Sequence, residues 1–141
     1  MKVLVVVTLS LVLAGVPAHS ADRMSATPRE RAEAFLARVG KGEIAPAYDD
    51  LFAASPAVTA KPQAVDALKR QTEAALPIYG KPIGFELQNE KKFGESIVRL
   101  TYIQRLEQHP LVWRFWFYRP AEKWYLDGVV FNDQFDHLQC D

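Results

Sequence analysis

The chain has 141 residues and carries 17 basic and 17 acidic side chains, so its formal charge is zero. This length is typical of a single domain. A neutral chain lacks the basic excess that drives binding to nucleic acids or anionic membranes, and we expect neither partner. Cys140 is the only cysteine, which excludes an internal disulfide and leaves the fold to rest on its apolar core.

Residues 1–20 have the three parts of an export signal. Lys2 gives the basic start, residues 3–14 form an apolar run, and Ala18 and Ser20 place small residues before a cut after Ser20. The apolar run is about a dozen residues long, short of the roughly twenty that span a bilayer. We therefore expect the signal to be cleaved rather than kept as an anchor.

The stretch LAGV within this signal looks like a bacterial lipoprotein box. Val16 stands where the acylated cysteine would be, so there is no thiol to carry a lipid. We expect a mature chain of residues 21–141 that is periplasmic or secreted, forms one domain and has no membrane partner after cleavage.

The first predicted helix has clear signals at both ends. Thr27 is a suitable N-cap, Pro28 fits the first helical position, and Glu30 completes a capping box. Gly40 and Gly42 are expected to end the helix.

Two more helices are predicted, from Glu43 to about Ala54 and from about Pro62 to Leu76. In all three helices, apolar residues recur with helical spacing on one side. The side chains predicted to face the core are Ala32, Phe35, Leu36, Val39, Ile44, Tyr48, Leu51, Phe52, Val65, Leu68, Thr72 and Leu76.

From residue 82 onward the apolar period changes to two, which predicts four strands joined by short hairpins. Helices followed by an antiparallel meander make an α+β domain. The strand residues predicted to face the helices are Ile83, Phe85, Leu87, Val98, Leu100, Tyr102, Leu111, Trp113, Phe115, Phe117, Trp124, Leu126 and Val130.

The opposite face of the predicted sheet is unusually aromatic for a surface exposed to solvent. Arg99, Arg114, Trp116 and Tyr118 all fall on it. Arg, Trp and Tyr are frequent anchors of buried protein interfaces. We therefore expect a homodimer that forms through this outer face of the sheet.

Several stretches are similar to small exported bacterial members of the nuclear transport factor 2-like superfamily. They are GEIAPAYDDLF, LPIYGKPIGFEL, an LTY strand and WRFWFYRPAEKWYLDGVVFND, which together cover nearly all of the mature chain. The resemblance implies three N-terminal helices packed on a curved four-stranded antiparallel sheet, with a pocket between the two layers. It also implies a dimer through the outer face of the sheet. Members include isomerases, dehydratases, cyclases and binding modules without chemistry.

Enzymes of this kind place an acid or a base, often with a tyrosine, inside the cone. The predicted inward residues include no Asp, Glu or His. Tyr48 and Tyr102 are the inward candidates with a polar tip, and both are expected to be core tyrosines. Asp49 and Asp50 are expected to point to solvent or to cap the next turn. No catalytic residue is therefore assigned.

The C-terminal stretch NDQFDHLQCD contains the one cluster of metal-ligand residue types in the sequence. Asp133 and His137 would share a helical face, with Asp136 and Cys140 nearby. A metal usually needs three or four ligands in one geometry, which this tail supplies only if it folds back on itself. We expect a solvated tail, with no metal and no cofactor.

These observations predict an exported, non-enzymatic binding or assembly module that holds a small hydrophobic ligand in the cone. The residues expected to line the pocket are Tyr48, Phe52, Tyr102, Trp113 and Phe115. The alternative is a cofactor-free enzyme of the isomerase, dehydratase or cyclase type that uses the same pocket. A third reading is a structural protein whose core is filled.

Overall fold

The computed structural model describes residues 26–53, 55–56, 60–135 and 138. The predicted export signal and the predicted cleavage site lie outside these residues. So do Asp136, His137 and Cys140 of the C-terminal tail.

The part of the chain that the structure describes contains three long helices, and their bounds follow the sequence signals closely. They are α1 (Pro28–Gly40), α2 (Ile44–Phe52) and α3 (Pro62–Ala75), and a 3₁₀ turn over Leu76–Tyr79 follows α3. The predicted capping box is confirmed, because the Glu30 amide donates to Thr27 Oγ1 and the Thr27 amide donates to Glu30 Oε2. The second helix ends at Phe52, two residues before the predicted end.

Four strands form one antiparallel sheet, which confirms the α+β class. They are β1 (Pro82–Phe93), β2 (Ile97–Leu106), β3 (Leu111–Tyr118) and β4 (Tyr125–Asn132). Their order in the sheet is the order in the chain, so each neighbouring pair is a hairpin. We call the face that carries Tyr102 and Trp113 the inner face, and the opposite one the outer face.

Three β-bulges interrupt the alternation of the strands. The paired registers skip one residue at Ile83, at Gln88 and at Asp127. A bulge leaves one residue unpaired and shifts the alternation of the side chains around it, so a strict period of two can assign the wrong face there. Ile83 and Val130 were expected to face inward and are instead 63% and 51% exposed.

In β4, the residues that follow the bulge at Asp127 lie on the face opposite to the predicted one. Val129 pairs with Phe115 and Phe131 pairs with Trp113, which puts both on the inner face. Val129 is buried, and Phe131 packs at the edge of the core. Arg99 and Arg114 were predicted to lie on the outer face, and the strand register places both there. Arg99 pairs with Trp116, and Thr101 pairs with Arg114, across β2 and β3.

Candidate functional site

The five residues predicted to line a pocket lie together in the core. They form, with Phe35, a group of touching rings that we call the ring cluster: Phe35, Tyr48, Phe52, Tyr102, Trp113 and Phe115. The Phe35 ring lies at its centre, with centroid distances of 4.9 Å to Tyr48, 5.3 Å to Trp113 and 5.6 Å to Phe115. All six side chains are buried.

The two tyrosine tips in the ring cluster have different partners. The Tyr48 hydroxyl lies 2.8 Å from Thr72 Oγ1, which itself donates to the Leu68 carbonyl. Burial raises the pKa of Tyr48 to about 12, and the hydrogen bond with Thr72 opposes this rise. Tyr48 is thus a core tyrosine with a satisfied hydroxyl, as the sequence predicted.

Tyr102 has an acidic partner that the sequence did not indicate. Its hydroxyl donates to Glu33 Oε1 over 3.0 Å, although Tyr102 itself is fully buried. Burial and the hydrogen bond to Glu33 both raise the pKa of Tyr102 above its usual value. Glu33 directly follows the inward residue Ala32 on α1, and that position at the edge of the apolar stripe was the available signal.

A second acid lies on the inner face near the same end of the sheet. Beyond the bulge at Gln88, Glu90 pairs with Leu100 and Lys92 pairs with Val98, so both side chains are on the inner face. Glu90 Oε2 accepts a hydrogen bond of 2.7 Å from Arg29 Nη2. No acid was predicted on the inner face, because residues 89–95 were expected to form the connection between two strands. The first strand instead continues to Phe93, and the bulge at Gln88 turns Glu90 to the inner face.

These charged residues surround an open cleft of about 740 Å³ that we call the mouth cleft. It lies between the start of α1, the inner side of the β1–β2 hairpin and the loop before β4. The residues that line it include Pro28, Arg29, Glu90, Lys92, Glu95, Val98, Leu100, Arg119 and Trp124. No member of the ring cluster lines it, although Leu100 pairs directly with Phe115.

The loop side of the mouth cleft is held in place by two arginines. The Arg119 amide donates to the Ser96 carbonyl at 2.7 Å, and its Nη2 donates to the Glu95 carbonyl at 2.9 Å. Arg119 Cζ lies 4.8 Å from the Trp124 ring centroid. From the core side, Arg31 donates to the carbonyl of Trp124, and burial lowers the pKa of that arginine. Trp124 is therefore held between two fixed guanidinium groups.

The outer face carries an aromatic strip around one arginine. Arg99 Cζ lies 5.4 Å from the Trp116 ring centroid and 5.8 Å from that of Phe93. The Phe93 and Trp116 rings stack 5.7 Å apart across β2. Tyr118 is 44% exposed at the end of this strip. The predicted interface residues Arg99, Trp116 and Tyr118 thus lie on one continuous surface.

The described part of the C-terminal segment is attached by side-chain contacts to the 3₁₀ turn and to the loop between β2 and β3. Asp133 Oδ2 accepts a 2.6 Å hydrogen bond from the Tyr79 hydroxyl, which lowers the pKa of that carboxyl. The His109 ring stacks on Phe135 at 5.4 Å. Within residues 26–135 as far as they are described, no three His, Cys, Asp or Glu side chains come together as metal ligands. Asp49 and Asp50 pair with Lys69 and Arg38, respectively.

Comparisons with protein-family models, with curated proteins and with solved structures found no match to this chain. Among the helices that the structure describes, none has both the length and the apolar character needed to cross a membrane.

Proposed function

We propose that the mature chain is an exported, non-enzymatic binding module whose ligand site is the mouth cleft. We further propose the cone fold of the nuclear transport factor 2-like superfamily, in which the three helices pack over a curved sheet. The observation that carries the binding role is the cleft itself. Its volume of about 740 Å³ falls within the roughly 300–1,000 Å³ of small-molecule sites.

The mouth cleft fits a ligand better than the interior of the ring cluster. The rings there are in contact with one another, as in a packed core, and a guest between them would have to separate them. The cleft already offers apolar surface from Val98, Leu100 and Trp124. The hydrophobic ligand predicted from the sequence would then lie on Val98, Leu100 and Trp124, outside the ring cluster. The filled-core alternative for the whole protein predicts no bound ligand at all.

The assembly role rests on the outer aromatic strip, and we propose that two copies pack through it. Phe93, Tyr118 and Val130 are exposed on this face, and Trp116 is partly exposed beside Arg99. In a dimer with two-fold symmetry, the aromatic strip of one copy would pack against the same strip of the other copy. Aromatic residues and arginines are the side chains that such interfaces favour.

A second candidate function is favoured by one contact, the hydrogen bond between Tyr102 and Glu33. A carboxylate beside a buried tyrosine could remove a proton from a bound carbonyl compound. Such an enzyme would exchange a carbon-bound hydrogen of the retained ligand with deuterated water, and Glu33→Gln would abolish the exchange. The binding module predicts no exchange in either protein.

Native mass spectrometry of the protein exported with its own signal, and kept away from detergent, tests the proposed function. We expect a dimer of chains that begin at Ala21, with additional mass from a retained compound. Dimers whose mass equals that of the bare polypeptide in every charge state would contradict the binding role. A monomer that carries a ligand would contradict the assembly role alone.

A further inference from the structure

The charges around the mouth cleft are not balanced. Arg29 is paired with Glu90 at 2.7 Å. Lys92 and Arg119 also line the cleft, and neither forms an ion pair within the part of the chain that the structure describes. Glu95 is the remaining acid in the wall, and its contact with Arg119 is made by its carbonyl oxygen. Two cations thus face one carboxylate that is not neutralised within the cleft.

Apolar residues line the cleft together with these two cations. Val98 and Leu100 form the floor, on the same inner face as Lys92, which pairs directly with Val98. Trp124 and Pro28 stand in the walls. A ligand that contacts both the two cations and the apolar surface needs an anionic group at one end and an apolar body at the other.

Arg119 is preorganised to meet an anion. Its guanidinium is already fixed by the Glu95 carbonyl and by the face of Trp124, so little further side-chain freedom is lost on binding. A guanidinium has five N–H donors, and the hydrogen bond to the Glu95 carbonyl leaves others to bind a carboxylate. Lys92 adds a flexible ammonium group from β1.

We infer that the mouth cleft selects a small amphipathic monocarboxylate, with its head at Lys92 and Arg119 and its apolar body on Val98, Leu100 and Trp124. This inference depends on the proposed function, because it names the ligand class of the same site. It predicts discrimination by charge among ligands that have the same apolar body.

Isothermal titration calorimetry of the mature protein at low salt, with four probes, tests the inference. Octanoate, octan-1-ol and octylammonium share one chain and differ in the charge of the head, and acetate supplies the head alone. We expect octanoate to bind most tightly, octylammonium more weakly than octanol, and acetate not measurably. Added salt should weaken octanoate and leave octanol unchanged.

Two variants of adjacent lysines give the matched comparison. Lys92→Ala removes a cation from the inner face of β1, and it should weaken octanoate by about two- to fivefold while leaving octanol unchanged. Lys91→Ala removes the same charge from the outer face, where Lys91 pairs with Arg99, and should change neither affinity. Both lysines are exposed, so both variants are expected to fold.

Each contrary result has a distinct meaning. If octanol binds as tightly as octanoate, the charge selection is wrong, while the mouth cleft remains a binding site. Equal losses in Lys91→Ala and Lys92→Ala would mean that the anion is held outside the cleft. If no octyl compound binds, the ligand class is wrong, and a compound retained in native mass spectrometry would still support the proposed function.

Discussion

The hydroxyl of Tyr102 donates a hydrogen bond of 3.0 Å to Glu33 Oε1, and this bond joins strand β2 to helix α1. Tyr102 is fully buried, and its ring meets Phe115 within the ring cluster. One side chain therefore connects the packed core to a charged group. A buried hydroxyl that lost its acceptor would carry a desolvation penalty.

Changing Glu33 should reveal that penalty. Glu33→Ala is expected to lower the free energy of unfolding by about 1–2 kcal/mol, because the Tyr102 hydroxyl loses its acceptor. Glu33→Gln keeps an oxygen in reach and should lose less than half as much. Glu73→Ala, at an exposed helical glutamate, is the control and should change little. Urea unfolding measures all three, and equal losses in Glu33→Ala and Glu73→Ala would show that the bond contributes nothing.

Tyr48 should make the protein sensitive to alkali. Burial raises the pKa of Tyr48 from 10.0 to about 12, so the unfolded chain gives up this proton first. The stabilisation is present below pH 10.0 and is lost as the pH rises through about 12. At about 1.4 kcal/mol per pKa unit, the loss is about 3 kcal/mol.

Tyr48→Phe has no hydroxyl to ionise and should lose less stability over this pH range than the unmodified protein. Some loss should remain, because burial also raises the pKa of Tyr102. The measurement is urea unfolding at a series of pH values from neutral to alkaline. Parallel curves for the two proteins would mean that Tyr48 ionises equally readily in both states.

The buried pair of Trp113 and Gln104 is expected to behave as one unit. Trp113 Nε1 donates to Gln104 Oε1 at 2.8 Å, and both side chains are buried. Gln104→Leu keeps the approximate volume but leaves the indole N–H without an acceptor, which should cost about 1–3 kcal/mol. Gln108→Leu at an exposed site is the control, and it should stay within about 0.5 kcal/mol.

A double-mutant cycle with Trp113→Phe separates the hydrogen bond from the change in packing. Once the indole is absent, Gln104→Leu should cost clearly less than it does in the unmodified protein. Thermal or urea unfolding of the four proteins gives the coupling free energy. Strictly additive losses would mean that the hydrogen bond makes no net contribution.

The proposed dimer makes a prediction about the outer strip. Trp116→Glu places a charge where two copies would meet, and the desolvation cost of burying that charge should shift the protein to the monomer. Ile78→Glu is the control, because Ile78 is apolar and exposed but lies in the 3₁₀ turn after α3, away from the strip. Sedimentation velocity distinguishes the species. A dimer that survives in Trp116→Glu would remove the outer face as the interface.

The helices could be predicted well because their signals are local. The capping box of Thr27 and Glu30 and the apolar spacing of Ile44, Tyr48 and Leu51 act within a few residues of the chain. The members of the ring cluster were also predicted to face the core, and all of them do. Their role as ligand contacts stays a prediction.

The mouth cleft could not be predicted, because it depends on two features that involve distant residues. The bulge at Gln88 turns Glu90 and Lys92 to the inner face, and nothing in the local pattern of β1 marks the extra residue. The position of Arg119 depends on contacts with Glu95 and Ser96 across the hairpin ends. Strict alternation also assigns the wrong face to Val130, which follows the bulge at Asp127 and is 51% exposed.

The most direct test of the mouth cleft as the binding site is a two-dimensional amide NMR titration of the mature protein with octanoate, octan-1-ol and octylammonium. The account predicts that at least one probe shifts the amide signals of Gly94, Glu95, Val98 and Leu100, while the signals of Tyr48 and Phe52 stay in place. Shifts confined to Tyr48 and Phe52 would put the ligand inside the ring cluster. If no probe moved the Gly94 and Leu100 signals, the mouth cleft would not be the binding site.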